Sequence, residues 1–228
     1  MNKLNEIINK WRSKLFYSKL ISKDNLCFDI GANIGKKSKI FLSLKAKVIA
    51  FEPQNSCLPY LEEIKNKNSN FDFFKLGVGS SNEEKILSIG SHIEISTFSD
   101  NFKNYFEDDK SYWNNTEKVN IRTLNSIIEE YQIPHFCKID VEGYEIEILK
   151  NLSYKIPIIE FEFTGGFIDE TMQIIEKLDT LGDCKFNYIL NENSKFQLNE
   201  WLGKDNMIVI IKSLPVSRLH GNMFVKTV

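Results

Sequence analysis

The chain has 228 residues, 42% of them hydrophobic and 26% charged, with a formal net charge of −2. That is apolar material enough for one globular domain whose core needs no staples, and the charge balance gives no general field for attracting nucleic acid. Four cysteines with no C-x-x-C pair predict reduced, buried thiols in a cytoplasmic protein. No run of 18 apolar residues and no signal-peptide core occur, so no membrane span is expected.

Leu4, Ile7, Ile8, Trp11, Leu15 and Phe16 recur at helical spacing among basic and polar residues, which predicts an amphipathic helix over 2–20. Residues 1–24 are read as this helix docked on the domain that follows, in preference to a helix lying on an anionic membrane surface. Residues 25–228 form that domain. It begins with Asn25-Leu26-Cys27-Phe28-Asp29-Ile30-Gly31-Ala32-Asn33-Ile34-Gly35, an apolar run with an acid near its end, then a turn with glycines four apart, leading into a helix through Ile40, Phe41 and Leu44. In an open α/β sheet such a turn lies at the carboxyl end of a strand, where small ligands bind.

Ala46 to Pro53 reads as a second strand ending at Glu52, a helix covers Pro59 to Lys67, and Phe71 to Gly79 forms a third strand. Beyond Ser80 a short hairpin is predicted from residues 85–89 and 92–96. The segment from about 90 to 118 is polar yet holds Phe98, Phe102, Tyr105, Phe106, Tyr112 and Trp113, the composition of a lid over a site. Val119-Asn120-Ile121 is strand-like, and Thr123 is placed to cap a helix carrying Leu124, Ile127 and Ile128.

His135-Phe136-Cys137-Lys138-Ile139-Asp140-Val141-Glu142-Gly143-Tyr144-Glu145 repeats the logic of the first turn, a strand ending in acids followed by a helix through Ile146, Leu149 and Leu152. Asp140 and Glu142 flank one apolar residue and so face one crevice. A fifth strand runs from Ile156 to Phe163, with Glu160 and Glu162 on one side by period two. Helix 169–181, strand 185–190, helix 205–213 and a last strand near 222–226 complete an alternating α/β order.

The first turn narrows the ligand, while the acid that closes the second strand fits nicotinamide and adenosylmethionine sites alike. A dinucleotide site wants G-x-G-x-x-G, whereas here the order is Asp29-x-Gly31-x-Asn33-x-Gly35, with Asn33 at the middle glycine position. An acid two residues before the first glycine suits a cationic ligand better than a pyrophosphate. S-adenosylmethionine carries an ammonium and a sulfonium and no phosphate, so Asp29 is placed to receive its amino-acid part while the glycines make room. Glu52, 21 residues after Gly31, closes the second strand, where a carboxylate accepts from both ribose hydroxyls. Lys36 and Lys37, at a helix start, are read as solvated, with attraction of the ligand's carboxylate as the alternative.

Together, Phe28 to Gly35, Phe51-Glu52-Pro53 and Lys138 to Glu145 resemble the FkbM family of S-adenosylmethionine-dependent methyltransferases, from about residue 25 onward. The resemblance implies a class I methyltransferase, Rossmann-like α/β fold: a seven-stranded, mostly parallel sheet with a reversed last strand and helices on both faces. It implies methyl transfer, usually to oxygen, on a carbohydrate or other small molecule, with S-adenosylmethionine as cofactor. Cofactor contacts would fall to Asp29, Gly31, Asn33, Gly35 and Glu52, with Gly77 near the adenine. Asp140, Glu142 and Glu162 are the candidate bases for a hydroxyl. A divalent cation at Asp140 and Glu142 is weighed and not adopted. His135 precedes its strand and is expected at the opposite end of the sheet. A nicotinamide-dependent oxidoreductase and a non-catalytic α/β binding module are the rival readings.

Overall fold

The computed structural model describes residues 3–191, 193–217 and 219–228. In chain order the elements are α1 (Lys3–Tyr17), β1 (Leu26–Ile30), α2 (Lys36–Ser43), β2 (Lys47–Phe51), α3 (Leu58–Lys67), β3 (Phe71–Phe74), β4 (Gly77–Gly79), β5 (Glu83–Gly90), α4 (Asp100–Phe106), β6 (Trp113–Thr123), α5 (Leu124–Tyr131), β7 (Phe136–Ile139), α6 (Glu145–Leu149), β8 (Ile158–Thr164), α7 (Ile168–Asp179), β9 (Cys184–Leu190), α8 (Lys204–Ser213) and β10 (His220–Thr227).

Seven strands form one sheet in the order β3-β2-β1-β7-β8-β10-β9. β10 runs antiparallel to both of its neighbours and the other pairs are parallel. This is the class I methyltransferase arrangement that the resemblance implies. Period-two alternation serves both faces. Cys27, Val48, Phe136 and Phe224 pack with Phe16, Tyr17, Phe41, Leu61 and Ile64 of α1, α2 and α3. Phe28, Cys137, Phe161 and Met223 pack with residues of α5, α6, α7 and α8. Burial of each large side chain contributes about 1.5–3 kcal/mol.

Three elements differ from the sequence-based expectation. The third strand is two: Phe71–Phe74 joins the large sheet, the chain turns at Leu76, whose N–H bonds back to Phe74 O at 3.0 Å, and Gly77–Gly79 enters a second sheet of order β4-β6-β5. Residues 92–96 are not a strand; the antiparallel partner of β5 is β6, and the chain before α4 makes one isolated bridge to β5, between Ser88 and Thr97. Half of the aromatic segment is therefore helix α4 and the start of β6.

The predicted first helix ends at Tyr17, and its first residue, Asn2, lies outside the described residues. Phe16 and Tyr17 are buried and hold the helix to the sheet, while Ile7 and Trp11 are 60% and 63% exposed. Docking thus belongs to the last turn and to Leu20 and Ile21 rather than to the whole apolar stripe. Thr123 caps α5 as expected, its Oγ1 accepting from Ser126 N–H at 3.1 Å. All four cysteines are free and buried. Among the described residues no helix is long and apolar enough to cross a membrane.

Candidate active site

Register brings three charged residues into one row across three parallel strands: Asp29 of β1 lies beside Lys138 of β7, and Lys138 beside Glu160 of β8. All three are buried, at 0%, 2% and 0% exposure, which is costly for charge unless it is paired. Ser38 Oγ donates to Asp29 Oδ2 at 2.6 Å, and Tyr17 OH reaches both Glu160 oxygens at 2.9 and 3.0 Å. Asp29 Oδ1 has no hydrogen-bond partner; the Lys138 ammonium stands 3.9 Å away. Burial works to lower the Lys138 pKa, but Asp140, Asp29 and Glu160 outweigh it and hold the ammonium charged.

Two residues further along each strand lies the next row on the same face, made of Gly31, Asp140 and Glu162. It opens into a cavity of about 220 Å³ at the carboxyl edge of the sheet. Lys138 joins the two rows, donating to Asp140 Oδ2 at 2.8 Å. Asp29, expected to meet a ligand, instead lies one pleat below and does not line the cavity. Its contact is with the lysine that orients Asp140.

The first turn is shaped for its neighbours. Gly31 has φ +73, and a Cβ there would stand 1.8 Å from Asp140 O; Gly35 has φ +74 and faces Ile64 Cδ1 at 2.3 Å. The room both glycines make is taken by the protein, and Gly35 does not line the cavity. Asn33 replaces the middle glycine at φ +51, a conformation Asn tolerates better than most residues. Its Oδ1 accepts from Ile34 N–H at 2.7 Å and its Nδ2 donates to Ile93 O at 2.9 Å, tying the turn to the segment before α4.

Glu52 is 6% exposed and lines the cavity. Asn33 N–H donates to its Oε2 at 2.7 Å and Gln54 N–H to its Oε1 at 2.8 Å. Burial nevertheless pushes its carboxyl up to about 7, so a ligand that donates hydrogen bonds to it draws it into the charged form. Gly77 is buried behind Phe98, which lines the cavity in its place. Lys36 and Lys37 also line it, Lys36 in an exposed pair with Glu94 at 3.5 Å. His135 is at the far end of β7, its ring bonded to Leu20 O at 3.2 Å.

Asp140, Glu142 and Glu162 do come together: one carboxylate oxygen from each lies within 4.8 Å of the others, close enough in principle to hold a cation. Burial raises Asp140, yet Lys138 outweighs it and keeps its carboxyl below the usual range. Burial and then the neighbouring carboxylates hold Glu142 and Glu162 well above theirs. The turn that carries Glu142 is strained: Glu142 has φ +55 and Gly143 φ +81, and strain of this kind concentrates at functional sites. Glu145 Oε1 accepts from Val141 N–H at 3.0 Å, and Thr97 Oγ1 donates to Glu142 O at 2.7 Å. Phe102 of α4 packs so close to Gly143 that a Cβ there would meet its ring at 2.9 Å. Thr97 and Lys138 both gave signals in the sequence only as members of a segment or motif; their partners depend on tertiary register.

Compared with known proteins, the sequence matches the methyltransferase FkbM domain over residues 29–206, a span that holds both turns and the whole cavity lining. The chain belongs to the FkbM methyltransferase family. This family member is 28% identical over 149 residues to the hexuronic acid methyltransferase AglP of Haloferax volcanii, an alignment covering 61% of this chain and 54% of that protein. It thus spans about half the length of that curated relative. Among solved structures, a precorrin-6y C5,15-methyltransferase from Geobacter metallireducens superimposes with a TM-score of 0.50 at 12% identity, over 95% of this chain and 87% of that one. An rRNA methylase from Streptococcus thermophilus gives 0.46 at 10% identity, over 95% and 94%. The first likeness supports the class I fold of the FkbM-family chain.

Proposed function

We propose that this FkbM-family chain transfers a methyl group from S-adenosylmethionine to a hydroxyl of a carbohydrate or another small metabolite. The observation that carries the reading is the presence, in one cavity, of Glu52 and of the Asp140, Glu142 and Glu162 cluster. Five carboxylates and three lysines line that cavity, a donor set that suits a ligand with positive charge and a diol better than a pyrophosphate. Glu52 would take the ribose hydroxyls, Lys36 and Lys37 the methionyl carboxylate, and the acid cluster the positively charged end. When bound, S-adenosylmethionine supplies an electrophilic methyl group.

What the chain's own residues contribute is proton handling and position. Asp140, held ionised by Lys138, keeps negative charge beside Glu142 and Glu162 and so raises their proton affinity. Carboxyls whose proton affinities are pushed apart in this way are the pattern of an acid–base pair. We assign Glu162 or Glu142 as the base for the acceptor hydroxyl and Asp140 as the charge that tunes it. The 91–106 segment, anchored to the Glu142 turn by Thr97 and Phe102, is the lid. AglP's hexuronic acid substrate supports a sugar acceptor, and four free cysteines support a reducing, cytoplasmic setting.

The test is calorimetry with S-adenosylhomocysteine and transfer of labelled methyl from S-adenosylmethionine to a panel of sugars. Micromolar binding and labelled product are expected. Binding without transfer to any acceptor would favour a non-catalytic module, and absence of binding would overturn the cofactor assignment.

A further inference from the structure

A second cleft lies where α1 meets the chain after β9. Its volume is about 650 Å³, and its walls include Arg12 and Lys19 from the α1 side, Lys37 from α2 and Lys195 from the loop. Among the described residues no carboxylate lines it and none of these four cations has an ion-pair partner. The contrast with the first cavity is sharp, since that one is lined by five carboxylates. In a chain of net charge −2, four cations around one concavity with no ion pair among the described residues form a local field for an anion.

The cleft is built rather than incidental. Ser13 Oγ and Ser194 Oγ meet at 3.0 Å, joining its two walls. Beneath them Phe16 packs on Phe196 at 4.8 Å and on Phe224 at 5.4 Å, which fixes the loop and the helix to the reversed strand. Asn9, Asn191, Asn193 and Gln197 add amides that suit sugar hydroxyls. The loop leaves β9 at Leu190, and β9 runs parallel to β8, so both cavities open at the carboxyl edge of the sheet. Lys37 lines both. Its ammonium lies over the Tyr17 ring, 5.4 Å from the centroid, and its charge is felt at Asp140.

We infer that this cleft is the acceptor subsite, and that it takes the anionic group of a sugar acid or sugar phosphate. Arg12, Lys19 and Lys195 hold the carboxylate or phosphate, and Lys37 marks the passage by which a hydroxyl of the same molecule reaches Glu142 and Glu162. The inference deepens the methyl-transfer reading and rests on it, but the two fail separately.

The full chain is titrated by calorimetry with glucuronate, glucose 1-phosphate and glucose, each with and without saturating S-adenosylhomocysteine. Saturable binding is expected for at least one charged sugar, at least tenfold tighter than for glucose, and weakening at least tenfold between 50 and 500 mM NaCl. Glucuronate alone or glucose 1-phosphate alone identifies carboxylate or phosphate as the source. Arg12→Glu with Lys195→Glu should remove that binding by tenfold or more while leaving S-adenosylhomocysteine affinity unchanged. Should that variant misfold, Arg12→Gln with Lys195→Gln and the wild-type salt series carry the test. Equal binding of glucose, no binding of any of the three sugars, or charged-sugar affinity indifferent to salt and to both variants overturns the subsite. A chain that does not bind S-adenosylhomocysteine yet binds the charged sugars leaves the cleft standing and fails the cofactor reading alone.

Discussion

Lys138 stands at the join between a buried row of charges and an open one. Replacing it with Met leaves Asp29 and Glu160 facing each other across an apolar gap, and breaking a buried pair in this way costs about 3–5 kcal/mol. Urea denaturation of Lys138→Met should show a loss of that size; a change under about 1 kcal/mol would mean that the row is not ionic. The same change frees Asp140 from its ammonium, so the pH–rate profile should move to higher pH, an effect that a merely structural lysine would not produce. Glu162→Gln, tested against Glu142→Gln in the same transfer assay, should lower turnover by about 10²–10⁴ in whichever variant removes the base; near wild-type rates in both would move the base elsewhere. Glu52 makes a third expectation. In the proposed role its carboxyl, raised to about 7 by burial, accepts from both ribose hydroxyls best as the carboxylate, so S-adenosylhomocysteine should bind more tightly as pH rises from 6 to 8, with proton release on binding. Calorimetry in two buffers of different ionisation heat measures this, and Glu52→Ala should weaken binding and abolish the pH dependence. That Glu52, Asp140, Glu142 and Glu162 would lie near one crevice was legible because they fall at or near the carboxyl ends of strands. Asp29 was legible too, but period two alone does not say how far along a strand the crevice begins, and Asp29 lies one pleat beneath it.

At the level of elements, the two turns fit into each other. Gly31 approaches the carbonyl of Asp140, and Gly143 approaches Phe102 of α4, so each turn depends on a missing Cβ in itself and on a backbone or ring from elsewhere. Gly31→Ala combines positive-φ strain with a clash against backbone and should lower Tm and cofactor affinity together. Thr97 Oγ1 is the one side-chain hydroxyl that holds the segment before α4 to the Glu142 carbonyl among the bonds described. Thr97→Val leaves Glu142 O and Ser99 N–H short of a partner, at about 1–3 kcal/mol, and should raise amide hydrogen exchange across 97–102 and lower turnover while cofactor affinity holds. Unchanged exchange in that segment would show that the aromatic packing of Phe102 suffices. The alternation of strands and helices and the helix capped by Thr123 were readable from periodicity and turn residues, and the reversed last strand was implied by the family resemblance alone. The split after Phe74 and the pairing of β5 with β6 were not, because a run from Phe71 to Gly79 has strand composition throughout and only the tertiary partner decides where it changes sheets.

For the molecule as a whole, buried acids outnumber the cations that answer them. Burial raises Glu52, Glu145 and Glu160 to about 7 each. A carboxyl raised in the folded state favours folding below its ordinary range and loses that contribution as pH climbs through the folded value. The ligand-free protein should therefore melt at a lower temperature at pH 8 than at pH 6, by roughly 2–4 °C for each kcal/mol lost. Saturation with S-adenosylhomocysteine should narrow the difference, since the ionised Glu52 then has donors. A flat Tm over this range, read by calorimetry, would show that these carboxyls stay solvated. The reversed strand has a consequence of another kind. β10 is the last element in sequence, yet it separates β8 from β9. During synthesis, neither β8, the strand that carries Glu160 and Glu162, nor β9 has its native partner on this side until residues 220–227 leave the ribosome. A product that stops after α8 would thus present a long, apolar, unpaired edge, the feature most prone to pairing between chains. Its expected fate in the cell is aggregation or proteolysis, because the five strands β3, β2, β1, β7 and β8 leave the β8 edge without its native partner.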